Sequence, residues 1–241
     1  MLDKPFKRED VAPICLPNKY YTKRSKRAES PWNTWIMSVE TSQKALIGGT
    51  RSLAWMLITG GAIGWIGALA LTIERLNVAA NPDAVLSCDV SPFISCKSVM
   101  LTEQAALLGF PNSLIGLAAF VVPILIGFAV LAGAKFARWF WLLFTIGMTG
   151  GFAFVVWLFS QSLFEIGALC PYCMVAWTGM IPMFWKQFLF AAREGIVPVS
   201  LKTVGFFVAA YDWHWLFTFG TFGAIITTTV WRFWDLWPSL F

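Results

Sequence analysis

Apolar residues occur along this chain in long, nearly charge-free runs, not in the short alternating patterns of a water-soluble sheet. A helix needs about 20 such residues to cross the hydrocarbon core of a bilayer. Five runs are long enough, and they begin near Leu53, Pro111, Phe140, Ile166 and Trp213. The pattern therefore predicts an all-α integral membrane protein with five transmembrane helices, in which a four-helix bundle is followed by a fifth span.

Polar stretches divide the chain into three predicted regions. Residues 1–52 form a basic tail, residues 53–190 hold the four-helix core with a long loop at 74–107, and residues 191–241 hold an interfacial segment and the fifth span. A secretory signal peptide places its apolar segment within about 30 residues of the N-terminus. Here the first apolar run begins later, so we expect no cleaved leader.

Composition and charge agree with a membrane location. The chain is 58% hydrophobic and 13% charged, and its mean hydropathy is +0.67. Most of the 18 basic residues lie in the tail, in the second-to-third loop and in the fourth-to-fifth loop; the exceptions are Arg75, Lys97 and Arg232. By the positive-inside rule, the N-terminus is cytoplasmic and the 74–107 loop faces outward from the plasma membrane. This distribution explains the net charge of +5 better than nucleic-acid binding does.

Four of the five cysteines are expected together at the outer face. Cys88 and Cys96 lie in the outward loop, while Cys170 and Cys173 open the fourth span. The remaining one, Cys15, falls in the cytoplasmic tail, where thiols stay reduced, and we assign it no role.

The spacing and position of the second pair favour reactive thiols. Side chains three residues apart on a helix lie about 5–6 Å apart at Cβ, close enough for a disulfide after a modest adjustment. Pro171 suits the first turn of a helix, so Cys170 would lie at the helix N-terminus. Unpaired N–H groups and the helix dipole stabilise a thiolate there.

The first pair lies in a loop rich in proline and serine, so we expect Cys88 and Cys96 to be mobile and exposed to a protein in the outer space. Two such dithiols can pass electrons from a soluble thiol protein to a lipid-soluble acceptor by disulfide exchange. Structural disulfides are the simpler alternative, although the CxxC spacing is more typical of exchange. A zinc site would need two pairs with short spacings, so we expect no metal.

These motifs resemble the vitamin K epoxide reductase family. The resemblance rests on the order of a wide cysteine pair, GFPNSLIG at 109–116 and CPYC at 170–173. SCDVSPFISCKSVM (87–100) and LCPYCMVAW (169–177) are similar to bacterial, particularly actinobacterial, members, and the likeness covers roughly 53–190. The other quinone-dependent thiol oxidases, of the DsbB type, carry their CxxC in the first outer loop, so the order here argues against them.

The resemblance implies a membrane thiol oxidase that supports disulfide bond formation. Such an enzyme reoxidises an extracytoplasmic thioredoxin-like (DsbA-like) protein and passes the electrons to a membrane quinone, for which we expect menaquinone. Many members carry a fused thioredoxin-like domain after the fifth span, whereas this chain ends at Phe241. We therefore expect the thiol partner to be a separate protein.

The family's cysteine roles are carried over by position. Cys173 matches the cysteine that reacts with the quinone, and Cys170 matches its disulfide partner. Cys96 would exchange with Cys170, and Cys88 would form the mixed disulfide with the external thiol protein.

Five further residues are expected at the quinone. Asn112 matches a residue that donates a hydrogen bond to a quinone carbonyl, and Thr102 matches a hydroxyl position; Phe110 and Met100 are candidate apolar contacts. Vertebrate members carry a tyrosine four residues after the second CxxC cysteine, where this chain has Trp177. An indole N–H can donate a hydrogen bond but cannot act as a phenol.

Two other functions remain open. One is a non-catalytic membrane subunit stapled by outer-face disulfides, and the other is a quinone-epoxide reductase driven by external dithiols.

Two further patterns predict structure alone. GxxxG spacings at 60–64 and 147–151 let helices approach closely, and His214, between Trp213 and Trp215, is typical of an aromatic anchor at the membrane interface.

Overall fold

The structure is a computed structural model that describes residues 46–83, 85–91, 93–197 and 201–234, with the backbone alone for 201–204. Within this part the chain is mostly helical. The predictions for Cys15 and for most of the basic tail concern residues outside the described ranges.

The described elements are mainly α-helices, with a 3₁₀ helix at Glu103–Ala106 and one small sheet. The helices are α1 (Arg51–Ala80), α2 (Cys96–Met100), α3 (Asn112–Ala119), α4 (Val121–Leu131), α5 (Arg138–Gln161), α6 (Pro171–Arg193), α7 (Leu201–Asp212) and α8 (His214–Arg232), and the strands are β1 (Leu46–Gly48) and β2 (Lys135–Ala137).

Three of the described helical stretches are long and apolar enough to cross a membrane: Arg51–Ala80, Asn112–Leu131 and Arg138–Ile166. The second of these joins α3 and α4, which meet at Phe120. Pro123 lies in the first turn of α4, and its missing N–H interrupts the hydrogen bonds there. A helical protein with membrane-crossing helices is thus supported, whereas the fourth and fifth spans stay predictions.

Two predicted boundaries need adjustment. The apolar run predicted to begin near Ile166 starts with residues that continue the preceding helix as a π-helical turn. Gly167 then reverses the chain at φ +70°, a conformation that glycine adopts without steric cost. The fourth helix itself begins at Pro171 with Cys170 as its N-cap, as the position of Pro171 predicted. The long loop also begins later than residue 74, since α1 continues to Ala80.

Close backbone contact between α1 and α6 organises the helical core. A Cβ added to Gly60 would lie 2.8 Å from Gly179 O, and one added to Gly67 would lie 2.9 Å from Tyr172 O. Gly64, the other member of the first GxxxG spacing, faces the ring of Phe120. The first spacing therefore serves helix packing as expected. In the second, Gly151 contacts Met180, while nothing lies near Gly147.

The end of the bundle remote from the cysteines is held by polar contacts. β1 pairs antiparallel with β2, and Trp141 Nε1 donates to Ile47 O at 3.0 Å. His214 is buried, with Nδ1 at 3.4 Å from Lys186 Nζ and 3.1 Å from Tyr211 O. The prediction of an interfacial anchor is therefore wrong for His214, whose ring faces protein while Trp213 and Trp215 are exposed.

The glycine contact between α1 and α6 yields a stability prediction. Gly179→Ala should lower the free energy of unfolding in detergent by about 1–3 kcal/mol, because the added methyl overlaps Gly60 O and forces the helices apart. Gly150→Ala is the matched control, since nothing lies within 4 Å of its added Cβ. It should be neutral or stabilising by up to about 1 kcal/mol. Equal stability of the two variants in denaturant titrations would contradict the proposed packing.

Candidate active site

Four cysteines meet at one end of the helical core. Cys88 and Cys96 form a disulfide, and Cys170 and Cys173 are free thiols. Cys170 Sγ lies 3.5 Å from Cys96 Sγ. The pair for which the resemblance implies exchange is therefore in direct contact.

Backbone hydrogen bonds place Cys96 beside Cys170. Ser95 N donates to Leu169 O at 3.1 Å, and Leu169 N donates to Phe93 O at 2.8 Å. This parallel pairing joins the residues that precede both cysteines. Ser95 Oγ in turn accepts from Ser98 N and caps α2, which begins at Cys96. The position of Cys96 next to Cys170 thus follows from the backbone pairing of the residues that precede them.

The first turn of α6 gives Cys170 the environment of a reactive thiol. Cys170 is the N-cap, and its Sγ accepts a hydrogen bond from Cys173 N at 3.4 Å. The Cys173 thiol also donates to Cys170, and this contact is the main reason why the pKa of the Cys170 thiol is lowered. Burial opposes the shift. The thiolate form, which both attacks and leaves in disulfide exchange, is consequently favoured at the sulfur next to Cys96.

The expectation of an exposed loop pair is wrong. Cys88 is 3% exposed and Cys96 is fully buried. They pack with Val78, Leu86 and Met100 in an apolar cluster beneath the loop. Because the segment folds back onto α1 and α6, the sulfur of Cys88 becomes accessible from outside only if this segment moves.

A largely apolar cavity of about 700 Å³ lies between α1, α3, α4, α5 and α6. Cys173 lines it, whereas Cys170 does not. Arg75 is the one charged side chain among the lining residues. A cavity of this size and character suits a neutral, mostly hydrophobic ligand of about drug-like dimensions.

The structure brings some of the predicted quinone residues to this cavity and not others. Met100, Asn112 and Trp177 line it, while Thr102 and Phe110 do not. Thr102 Oγ1 donates instead to Val99 O, and the Phe110 side chain is exposed. The prediction that these two residues contact a ligand in the cavity is therefore not supported by their placement.

Asn112 has a structural task besides its place in the cavity wall. Its Nδ2 donates to Gln104 O at 2.6 Å, and its Oδ1 accepts from Leu107 N at 3.2 Å. One amide hydrogen remains for a ligand, since the NH₂ group carries two. Asn112 thus ties the segment after α2 to the start of α3 and can still donate into the cavity.

Sequence reasoning missed Tyr172 and Arg75 in the cavity wall and the partners of Tyr172 beside it. Tyr172 OH lies 2.8 Å from Ser87 Oγ, which donates to Glu74 Oε1. One signal was available: Tyr172 is the residue between Pro171 and Cys173 in the CxxC motif. Its contact with Ser87, which precedes Cys88, has no local sequence signature.

Comparison with known families decides between the scaffold and redox interpretations. Residues 55–188, more than half of the chain, match the vitamin K epoxide reductase family. The chain belongs to this family. No curated protein matches it as an individual relative. Members of the vitamin K epoxide reductase family are membrane oxidoreductases that use quinones, so the cysteine cluster and the cavity belong to a redox protein.

The lowered pKa of Cys170 can be tested by alkylation in this vitamin K epoxide reductase family member. Cys173→Ala removes the main cause of the lowering, so the pH midpoint for reaction of Cys170 with iodoacetamide should rise. Cys173→Ser keeps a hydroxyl donor and should stay nearer the wild type. Mass spectrometry of the Cys170 peptide over a pH series measures both. An unchanged midpoint in Cys173→Ala would show that the Cys173 thiol does not stabilise the thiolate.

Proposed function

We propose that this protein is a membrane thiol oxidase. It oxidises a separate extracytoplasmic thioredoxin-like (DsbA-like) protein and reduces a membrane quinone, with menaquinone as the expected acceptor. The reaction balances as partner dithiol plus quinone giving partner disulfide plus quinol, with two electrons and two protons transferred. The observation that carries the proposal is the continuous series of sulfurs from the loop disulfide through Cys170 to Cys173 in the cavity wall.

Each exchange step has a sulfur in a suitable position. A partner thiolate attacks Cys88, and the mixed disulfide that forms releases Cys96 as a thiolate. Cys96 attacks Cys170 in the oxidised Cys170–Cys173 pair and releases Cys173. The second partner thiol then frees Cys88, and Cys88 recloses the bond to Cys96, which leaves Cys170 and Cys173 reduced. That final state has the same bonding pattern as the structure, with one disulfide and two thiols.

The cavity fits the proposed acceptor. A neutral quinone head group and an apolar tail match a wall whose polar side chains are few. Asn112 has one amide hydrogen left to donate, and Trp177 offers an indole N–H for which the described residues show no hydrogen-bond partner. A quinone bound in this cavity would supply a two-electron acceptor beside Cys173. The chain's own residues orient that acceptor and exclude water from it.

Energetics favour this direction of electron flow. Strongly oxidising thioredoxin-like proteins have reduction potentials of about −120 mV. Their reoxidation needs an acceptor of higher potential, and a difference of about 30 mV corresponds to about 1.4 kcal/mol for two electrons. A membrane quinone meets this requirement. A scaffold stapled by disulfides would not require a free cysteine in a cavity wall with a second one beside the loop disulfide.

Loss of Cys173 should abolish the proposed reaction. In proteoliposomes that contain menaquinone and a reduced thioredoxin-like protein, Cys173→Ala should lower quinol formation to the background rate, because the sulfur next to the acceptor is gone. Cys15→Ala, which removes a cysteine outside the proposed site, should retain the wild-type rate. The absorbance change of the quinone measures both, and sustained turnover by Cys173→Ala would overturn the proposal.

The partner can be identified by trapping. In Cys96→Ala, Cys88 has no internal partner, so a mixed disulfide with an external thiol protein should persist long enough for mass spectrometry. The double variant Cys88→Ala/Cys96→Ala should capture nothing. If the single variant captures no thioredoxin-like protein on Cys88, the proposed electron path fails at its first step.

A further inference from the structure

A chain of polar side chains joins the two redox pairs at the surface of the site. Ser87 Oγ donates to Glu74 Oε1, which uses the one proton of the serine hydroxyl. Tyr172 OH therefore donates to Ser87 Oγ, at 2.8 Å. Asn77 Nδ2 donates to the other carboxylate oxygen of Glu74 at 3.3 Å. Three elements are thus tied together: α1 through Glu74, the cysteine loop through Ser87 and α6 through Tyr172.

The chain acts on the residue that the partner must reach. Ser87 directly precedes Cys88, and the side chains on either side of it, Leu86 and Cys88, are each 3% exposed. Ser87 itself is exposed, so its hydrogen bonds, and not burial, hold it against α1 and α6. A thiolate cannot approach the sulfur of Cys88 until this stretch of backbone lifts away from the apolar cluster.

We propose that Glu74, Ser87 and Tyr172 form a clasp that keeps Cys88 closed and so sets the rate at which external thiols attack the Cys88–Cys96 disulfide. They are positioning residues, since they act on the reacting sulfur through the backbone of Ser87. The effect of the clasp on the turnover rate rests on the proposed function, in which the partner attacks Cys88. Its effect on the closed segment does not depend on that function.

The size of the effect follows from the bonds that would be lost. One hydrogen bond contributes about 0.5–1.5 kcal/mol net, which corresponds to a two- to tenfold change in an equilibrium constant. If reduction proceeds from the open segment, removing the Tyr172 hydroxyl breaks one bond and should raise the reduction rate by about this factor. Removing the Ser87 hydroxyl breaks two bonds and should raise the rate at least as much. Because both hydroxyls belong to one chain, removing the Tyr172 hydroxyl after that of Ser87 should add little.

The test uses the oxidised protein with neither quinone nor partner. Cys170→Ala/Cys173→Ala serves as the common background, so that the Cys88–Cys96 disulfide is the only redox pair in the site. Reduced glutathione is added, samples are quenched with acid and alkylated, and mass spectrometry follows the loss of the disulfide. Tyr172→Phe, which removes a single oxygen, should be reduced about two- to tenfold faster. Ser87→Ala, which removes two hydrogen bonds, should be reduced at least as fast as Tyr172→Phe.

Controls separate the clasp from general loosening. Thr178→Ala removes another hydroxyl of α6 that bonds within its own helix, to Val175 O, and should be reduced at the background protein's rate. Ser87→Thr keeps the hydroxyl and should restore that rate. The double variant Tyr172→Phe/Ser87→Ala should be no faster than the faster single variant.

Two results would overturn the clasp: single-variant rates equal to the background protein's, or single effects that multiply in the double variant. Failure of the wild-type protein to reduce a quinone is a separate result. It would overturn the proposed oxidase and leave the glutathione measurement valid, because that measurement involves no acceptor.

Discussion

The close backbone contact between α1 and α6 is the constraint on which the rest of the site depends. Where Gly60 faces Gly179 and Gly67 faces the carbonyl of Tyr172, no side chain separates the two helices. The position of the CxxC segment is therefore set by backbone contact, which is less adaptable than contact between flexible side chains. A larger residue at these glycines would displace Cys170 from Cys96 as well as loosen the core.

Burial of the cysteines restricts which thiols can reach them, and it also means that the proposed exchange with a partner requires a movement of the chain. Cys96 is fully buried and Cys170 is 1% exposed, so a soluble thiol cannot reach either one directly. Exchange between them needs no diffusion, since their sulfurs are already in contact. The same packing encloses Cys88, which in the proposed function must meet a partner. The proposed internal exchange is favoured by rigidity, whereas the proposed external exchange requires the loop to open at the exposed residue Ser87.

Much of this architecture could be predicted from the sequence, because hydrophobic runs and cysteine order are properties of the chain itself. The first three spans begin within two residues of their predicted starts near Leu53, Pro111 and Phe140. The apolar run of the fourth span and its helix start differ, because residues 162–166 continue the preceding helix; Gly167 and Pro171 mark the break, and Pro171 alone indicated the true helix start. The burial of Cys88 and the contacts of Tyr172 could not be predicted, since they depend on how a polar loop folds onto two distant helices.

The composition of the cavity limits which acceptor the cysteines can serve. A nucleotide cofactor would carry its phosphates into a space where Arg75 is the one charged side chain in the wall, and burying an anion without several partners is costly. A neutral lipid-soluble molecule has no such cost, and its apolar part gains free energy by leaving water or by matching the surrounding hydrocarbon. Under the proposed function, the position of Cys173 in that wall, one helical turn from Cys170, is where electrons would leave the sulfurs: at an apolar surface that suits a quinone better than a charged, water-soluble oxidant.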